Sequence, residues 1–334
     1  MIELLLEGTP FDRGRTHGQR FAGQIRAAVL DLWKRSRTDA LVRTIEESAA
    51  HVDGIYPEIN EEIRGIASGA RVAFAQAFLY NNRAILNVVP LESCSHVAII
   101  GDGNTVAGMN KDSRGTEASE FFVAKVRPSQ GHARIGYCHI GRLWGYGVND
   151  AGLCTAGTAA YPVPETSPAP ALGLYFVGPI ALSMCGNVAE ALVLVAGLGD
   201  VAESGNVLFA DQSDAAVVEF APGRRVVRRP EQGVIASTNF YASGQIQHAR
   251  SKAYLEETRA RYHNILRLSR HPSPAAVDSL RHVLSHHSEN GSVCRHEHTE
   301  DQTVFSFIVS PGEQRFLITD GPPCRCDYVS HSLA

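Results

Sequence analysis

Cys94 stands at the head of a strand-like apolar segment, 96–100, directly after a long stretch of helical character. The turn signal Asp102-Gly103-Asn104 follows, then a second strand-like run, 105–108, and the stretch Ala107-Gly108-Met109-Asn110-Lys111-Asp112. Two short strands joined by such a turn fold back on one another, so the hairpin returns Asp112 toward Cys94. A cysteine before a strand also serves as a small buried packing residue, and position alone leaves both readings open. The chemistry open to it is nonetheless specific. A cysteine thiol is intrinsically nucleophilic and a few per cent ionised at neutral pH. The sulfur can attack the carbonyl of Ser93, and water can then resolve the thioester. Cys94 would be left with an α-amine, whose ordinary pKa is roughly 7.7–8.0. That amine can take the thiol proton and later return it to a leaving amine, so one residue supplies both nucleophile and base.

A second constellation points to metal. His282, His286, His287, Cys294, His296 and His298 fall within seventeen residues. His282 and His286 are four apart on an expected helix and would share a face. With Cys294 or His296 they could hold zinc and leave one position open. The spacing matches no standard signature such as His-Glu-x-x-His, and no carboxylate is placed as a general base. A solvated, histidine-rich helix end and loop is the blander account and the favoured one. Cys324-Arg325-Cys326 is one residue tighter than Cys-x-x-Cys and takes no role.

The elements that must carry these residues alternate in blocks. Apolar residues at helical spacing predict helices over 21–33, 39–52, 55–66 (with Pro57 at the start) and 75–86. The first eight residues read as a short strand. Strands are expected at 96–100, 105–108, 121–127 and 133–139, with the small, apolar 152–160 as a buried one. A proline-rich loop, 162–170, precedes helices at 174–184 and 187–198. Strands follow at 206–210, 215–220, 224–229 and 234–238, helices at 247–269 and 274–287, and strands at 303–309 and 315–319. Hairpin-like groups of strands predict antiparallel sheets, and paired helices predict layers outside them: an α+β sandwich of two sheets covered by helices on both faces.

Composition narrows the function classes. With 334 residues, 44% hydrophobic and 20% charged, the chain can bury a large core. Its net charge of −4 and lack of a long basic run exclude the footprint of a nucleic-acid binder. The basic stretch Arg224 to Arg229 reads as an exposed strand. No apolar run has the roughly 18 residues of a membrane span. The N-terminus lacks the basic region and cleavage site of a signal peptide. Seven irregularly spaced cysteines argue for reduced thiols, and a cytoplasmic location is expected.

Several segments, in order, resemble the acyl-coenzyme A:6-aminopenicillanic acid acyltransferase family of N-terminal-nucleophile hydrolases, the isopenicillin N acyltransferase-like proteins. They are GTPFDRGRTHGQRFAGQI, YPEINEEIRGIASGA, SCSHVAIIGDGNTVAGMNKD, GVNDAGLCTAG, NVLFADQSDAAVVEF, STNFY, SVCRH and GPPC. The resemblance spans almost the whole chain. It implies an αββα four-layer sandwich of two mainly antiparallel sheets flanked by helices. It also implies self-cleavage between Ser93 and Cys94. That would divide one integrated domain into a helical fragment, 1–93, and a catalytic core, 94–334, which stay packed together.

By the same resemblance Cys94 is the nucleophile, Asp112 accepts hydrogen bonds near the new amine, and Asn239, in the Thr-Asn element, donates to the oxyanion. Asn110, Arg295 and His296 are candidates for substrate binding. Two departures stand out. Ser93 replaces a glycine before the nucleophile, and Thr299, Glu300 and Asp301 stand where the family has a late arginine, leaving Arg295 the nearest candidate. The expected activity is cleavage of a small-molecule amide through a thioester. Hydrolysis is favoured over acyl transfer, because nothing marks a coenzyme A site. The mechanism calls for no cofactor and no metal. The expected partners are the substrate and the chain's own N-terminal fragment, with room for a homo-oligomer and with no nucleic acid and no membrane. The zinc-dependent hydrolase, and an inactive small-molecule binding protein of the same fold, remain the alternative readings.

Overall fold

The computed structural model describes residues 1–86, 93–101, 103–113, 119–143, 145–163, 170, 172–270, 276–296 and 301–333. The expected junction at Pro90, the turn residue Asp102, most of the proline-rich loop, the helix start at Pro274, and His298, Thr299 and Glu300 lie outside the described residues.

The chain begins with β1 (Glu3–Gly8) and five helices: α1 (Pro10–Arg20), α2 (Ala22–Ser36), α3 (Asp39–Ile55), α4 (Glu58–Ala70) and α5 (Phe74–Asn81). Local chemistry sets their starts. Thr9 accepts a hydrogen bond from Asp12 N ahead of Pro10 at the first helical position, and Thr38 accepts from Leu41 N. Strands follow: β2 (Ser93–Gly101), β3 (Asn104–Ser113), β4 (Phe121–Pro128), β5 (Arg134–His139), β6 (Gly145–Asn149) and β7 (Cys154–Ala159). Then come α6 (Leu174–Met184), α7 (Val188–Gly197), β8 (Gly205–Ala210), β9 (Ala215–Ala221), β10 (Arg224–Arg228) and β11 (Val234–Ser237). The last elements are α8 (Lys252–Ser269), α9 (Ala276–Leu284), β12 (Gln302–Ser310), β13 (Arg315–Ile318) and β14 (Val329–His331).

Among the described residues, eight strands form one sheet in the order β1-β4-β5-β6-β7-β8-β9-β10, and six form the other in the order β11-β2-β3-β12-β13-β14. Neighbours pair antiparallel except β1, which runs parallel to β4. Three apolar clusters define the layers. Ile25, Ile63, Phe78, Ile180 and Val188 of the N-terminal helices, α6 and α7 pack on Phe122, Val207 and Phe220 of the larger sheet. Met109, Phe305 and Phe307 meet Tyr137, Tyr146 and Leu208 between the sheets. Ile265, Leu280 and Leu284 of α8 and α9 cover Val97, Val106 and Ile308 on the far side of the smaller sheet. Helices, sheet, sheet, helices is the expected α+β sandwich.

Some details differ from the periodicity, and α1 and β14 stand where it marks no element. β6 was not legible because Gly145-Tyr146-Gly147 has no apolar alternation. Close sheet packing selects its glycines: a Cβ on Gly147 would lie 2.0 Å from Ile135 O. The helix expected from 247 starts at Lys252, where Ser251 caps it by accepting from Tyr254 N.

Candidate active site

β2 and β3 pair in the register Ser93 to Asp112, Cys94 to Lys111 and Ser95 to Asn110. The turn includes Gly103 at φ +77°, a conformation glycine adopts without strain. Side chains alternate across a strand. Cys94 therefore joins the cluster between the sheets, with Lys111 on its own face, while Ser93 and Asp112 face the α8 and α9 side. The Lys111 ammonium, 1% exposed, lies 3.8 Å from Cys94 Sγ. A cation at that distance favours thiolate over thiol.

Asp112 reaches Cys94 by a relay. Arg261 of α8 donates from Nη1 to Asp112 Oδ2 at 2.9 Å and from Nη2 to Asn239 Oδ1 at 2.8 Å. The Cys94 backbone N–H donates to that same Asn239 oxygen at 3.0 Å. Because both groups on this side are donors, the amide presents its oxygen here. Its Nδ2 points the other way and donates to Ala159 O at 3.0 Å. Thr258, one turn before Arg261, accepts from Asn239 N at 3.0 Å and donates to Thr238 Oγ1 at 3.0 Å, which holds the Thr-Asn pair in place. Thr303 closes the far end by donating to Asp112 Oδ1 at 2.6 Å.

Asp112 and Arg261 are fully buried. Burial pushes the Asp112 carboxyl up to about 6, against the opposing pull of Arg261, Arg295, Thr303 and Lys111. Burial also works against the Arg261 cation, but Glu257 and Asp112 outweigh it and hold the guanidinium above its ordinary value. At neutral pH the relay is a carboxylate, a guanidinium and an amide dipole ending on Cys94 N.

Cys94 lines a small cavity together with Tyr146, Gly157, Ala159 and Tyr175. A Cβ on Gly157 would stand 2.1 Å from the Tyr146 hydroxyl, so glycine is what lets the phenol reach this space. A second, larger cavity lies between α1, α4 and the larger sheet, around Arg13, Glu62 and Arg134, and Cys94 does not line it.

A family model described as acyl-coenzyme A:6-aminopenicillanic acid acyl-transferase matches residues 100–321. The chain belongs to this family. The match takes in Asp112, Asn239 and Arg261 and begins six residues after Cys94. The chain is also similar to the solved structure of penicillin V acylase from Agrobacterium tumefaciens, at 15% identity over 68% of this chain and 83% of that one, with a TM-score of 0.46. A variant of conjugated bile acid hydrolase from Clostridium perfringens is similar at 12% identity over 72% of this chain and 94% of that one, TM-score 0.48. No curated protein matches the chain.

In this acyltransferase-family chain the other expected residues separate. Asn110 is fully buried on the α9 side and donates to Leu284 O at 2.8 Å and Val293 O at 2.9 Å, tying β3 to the end of α9 and the segment after it. Arg295 lies near the relay: its backbone exchanges hydrogen bonds with Thr303, and its guanidinium is 4.0 Å from Glu257. His296 is elsewhere, with Nε2 3.2 Å from Cys324 Sγ. Ser93 Oγ donates to Asp301 Oδ2 at 3.0 Å, so one of the three residues at the late-arginine position holds the serine before Cys94. α9 ends at Leu284, so His286 lies beyond it and does not share a helical face with His282. Arg261, Lys111, Thr258 and Thr303 were missed. A signal existed for one: Thr258, Arg261, Ile265 and Ser269 make the buried stripe of α8, and an arginine within such a stripe is rare unless paired.

Proposed function

We propose that this protein is a self-processing cysteine amidohydrolase or acyltransferase that cleaves a small-molecule amide through a thioester on Cys94. The observation that carries the reading is the pair of surroundings of one residue: Cys94 N rests on Asn239 Oδ1, and Cys94, its Sγ beside Lys111, lines a cavity.

In processing, the Cys94 sulfur attacks the Ser93 carbonyl carbon. The C–N bond breaks as the C–S bond forms, and the nitrogen takes a proton to become an amine. Water then cleaves the thioester, leaving a carboxylate on Ser93 and a free thiol on Cys94. Fragment 1–93 stays bound, because β1 is a strand of the larger sheet and α1 to α5 share its apolar cluster.

In turnover, the new amine, held by Asn239 Oδ1, takes the thiol proton as the sulfur attacks the substrate carbonyl. The Asn239 amide nitrogen, on the Ala159 side, donates to the developing oxyanion. The leaving amine departs with the proton, and water, deprotonated by the same amine, releases the acid. An amine or thiol acceptor in place of water would make the step a transfer. Penicillin V acylase and conjugated bile acid hydrolase, the similar solved proteins, are named for amide substrates of small size.

The test is intact-mass spectrometry of the purified protein beside its Cys94→Ala variant. Two fragments meeting at Ser93–Cys94 in the parent alone are expected. A single uncut mass in both, with no thioester formed on incubation with penicillin V or N-acyl amino acids, would sink the reading.

A further inference from the structure

We propose that the protein carries a closed, structural zinc site formed by His287, Cys294, His296 and Cys324, separate from Cys94. Ligand atoms of these four residues lie within 4.8 Å of one another. Cys294 Sγ and Cys324 Sγ are 3.6 Å apart, Cys324 Sγ is 3.2 Å from His296 Nε2, and the His287 and His296 rings meet edge to face at 4.7 Å. A disulfide requires sulfurs about 2.05 Å apart, so the cysteines are thiols brought together without a bond. Tetrahedral zinc with Zn–S near 2.3 Å and Zn–N near 2.0–2.1 Å puts sulfurs about 3.8 Å apart and sulfur to nitrogen about 3.5 Å. The observed separations are of that size. Two thiols and two imidazoles have little attraction for one another, whereas two thiolates and two neutral imidazoles make a standard zinc ligand set.

The ligands come from three places in the chain. His287 follows the end of α9, Cys294 and His296 belong to the segment before β12, and Cys324 sits in the turn between β13 and β14. The backbone already converges on this point: Val293 N and Cys294 N both donate to His286 O, and Ser285 Oγ donates to Pro323 O. Cys294 is buried, whereas His287 and Cys324 are exposed, so an ion here would be open to exchange from solvent. With all four positions filled by protein, none remains for water or substrate, which argues for a structural ion and against a zinc hydrolase. Its place in the fold gives it a purpose. Arg295 stands between two of the ligands, and its backbone holds Thr303, which donates to Asp112. The ion would fasten the strap that braces the relay at its Asp112 end. Cys326 is outside the set; its Sγ faces Asp320 O at 3.6 Å.

The experiment is elemental analysis of the full-length protein after dialysis against metal-free buffer, followed by Co²⁺ titration of chelator-stripped protein. The expected result is about one zinc per chain, and cobalt thiolate charge-transfer bands saturating at about one equivalent. Cys324→Ser and His287→Ala, both at exposed positions, should lose the metal and those bands, while His282→Ala should keep both. Metal-free protein that gives no thiolate bands with Co²⁺ would overturn the proposal, as would zinc retained undiminished in Cys324→Ser or a Cys294–Cys324 disulfide in the native mass. None of these readouts depends on whether Cys94 processes the chain.

Discussion

Asn239 presents its amide oxygen, not its nitrogen, to Cys94: the backbone N–H of Cys94 donates to Oδ1 at 3.0 Å. By the mechanism proposed, the same oxygen would hold the α-amine once the bond to Ser93 is cut, and the amide nitrogen, which donates to Ala159 O, would give its second N–H to an oxyanion. The two roles separate by substitution. Asn239→Ala should lower turnover roughly 100- to 1,000-fold. Asn239→Asp keeps an acceptor for Cys94 N and for Arg261 but has no N–H for an oxyanion or for Ala159 O, so it should be about as slow in turnover and should melt below the parent. Parental turnover in the aspartate variant would remove the oxyanion role.

Lys111 sits 3.8 Å from the Cys94 sulfur, so its charge should set the reactivity of that thiol. In Lys111→Met, alkylation of Cys94 by iodoacetamide at neutral pH, followed by peptide mass spectrometry, should slow about tenfold or more. Lys111→Arg should recover most of the rate. Equal rates in parent and Lys111→Met would show that the ammonium does not act on the sulfur.

The Arg261–Asp112 pair is fully buried on both sides. Arg261→Met strands the carboxylate and should cost about 3–5 kcal/mol of unfolding free energy. The double variant Arg261→Met/Asp112→Leu removes both charges and should regain much of that loss. Urea unfolding in a Cys94→Ala background, which keeps the chain uncut, measures both.

Asp112 also gives a pH dependence of defined sign. Its folded pKa, about 6, lies above its ordinary 3.8 because burial outweighs its cationic neighbours. Between those values the folded chain holds a proton that the unfolded chain has lost. Its contribution to stability therefore falls as pH rises from about 4 to 6 and is level above 6. Urea midpoints of Cys94→Ala across that window should carry this slope, and Asp112→Asn should flatten it. Identical profiles would place the carboxyl in a different environment.

Helices α1 and α4 meet backbone to backbone through glycines. A Cβ on Gly65 would lie 2.2 Å from Phe11 O, and one on Gly14 would lie 2.0 Å from Glu62 O. Gly65→Ala should therefore destabilise by about 1–3 kcal/mol as the helices separate. Gly54, in α3, has nothing within 4 Å of its would-be Cβ, and Gly54→Ala should be neutral or stabilising by up to about 1 kcal/mol. Thermal melts of the two variants decide it.

The sequence by itself determined what depends on neighbours along the chain. The helical periodicities, the blocks of strands and the hairpin from Ser93 to Asp112 were legible, because a turn and two short strands are specified by residues a few positions apart. Cys94 became a candidate nucleophile through the family resemblance, since its position alone left a packing role open. Tertiary structure alone decided which distant side chains complete the site. Arg261 reaches Asp112 across 149 positions, and Cys324 lies 28 positions from His296. No spacing rule encodes such contacts. They follow from how α8 lies on the smaller sheet and how the β13–β14 turn folds over the end of α9, and packing of the whole core sets both.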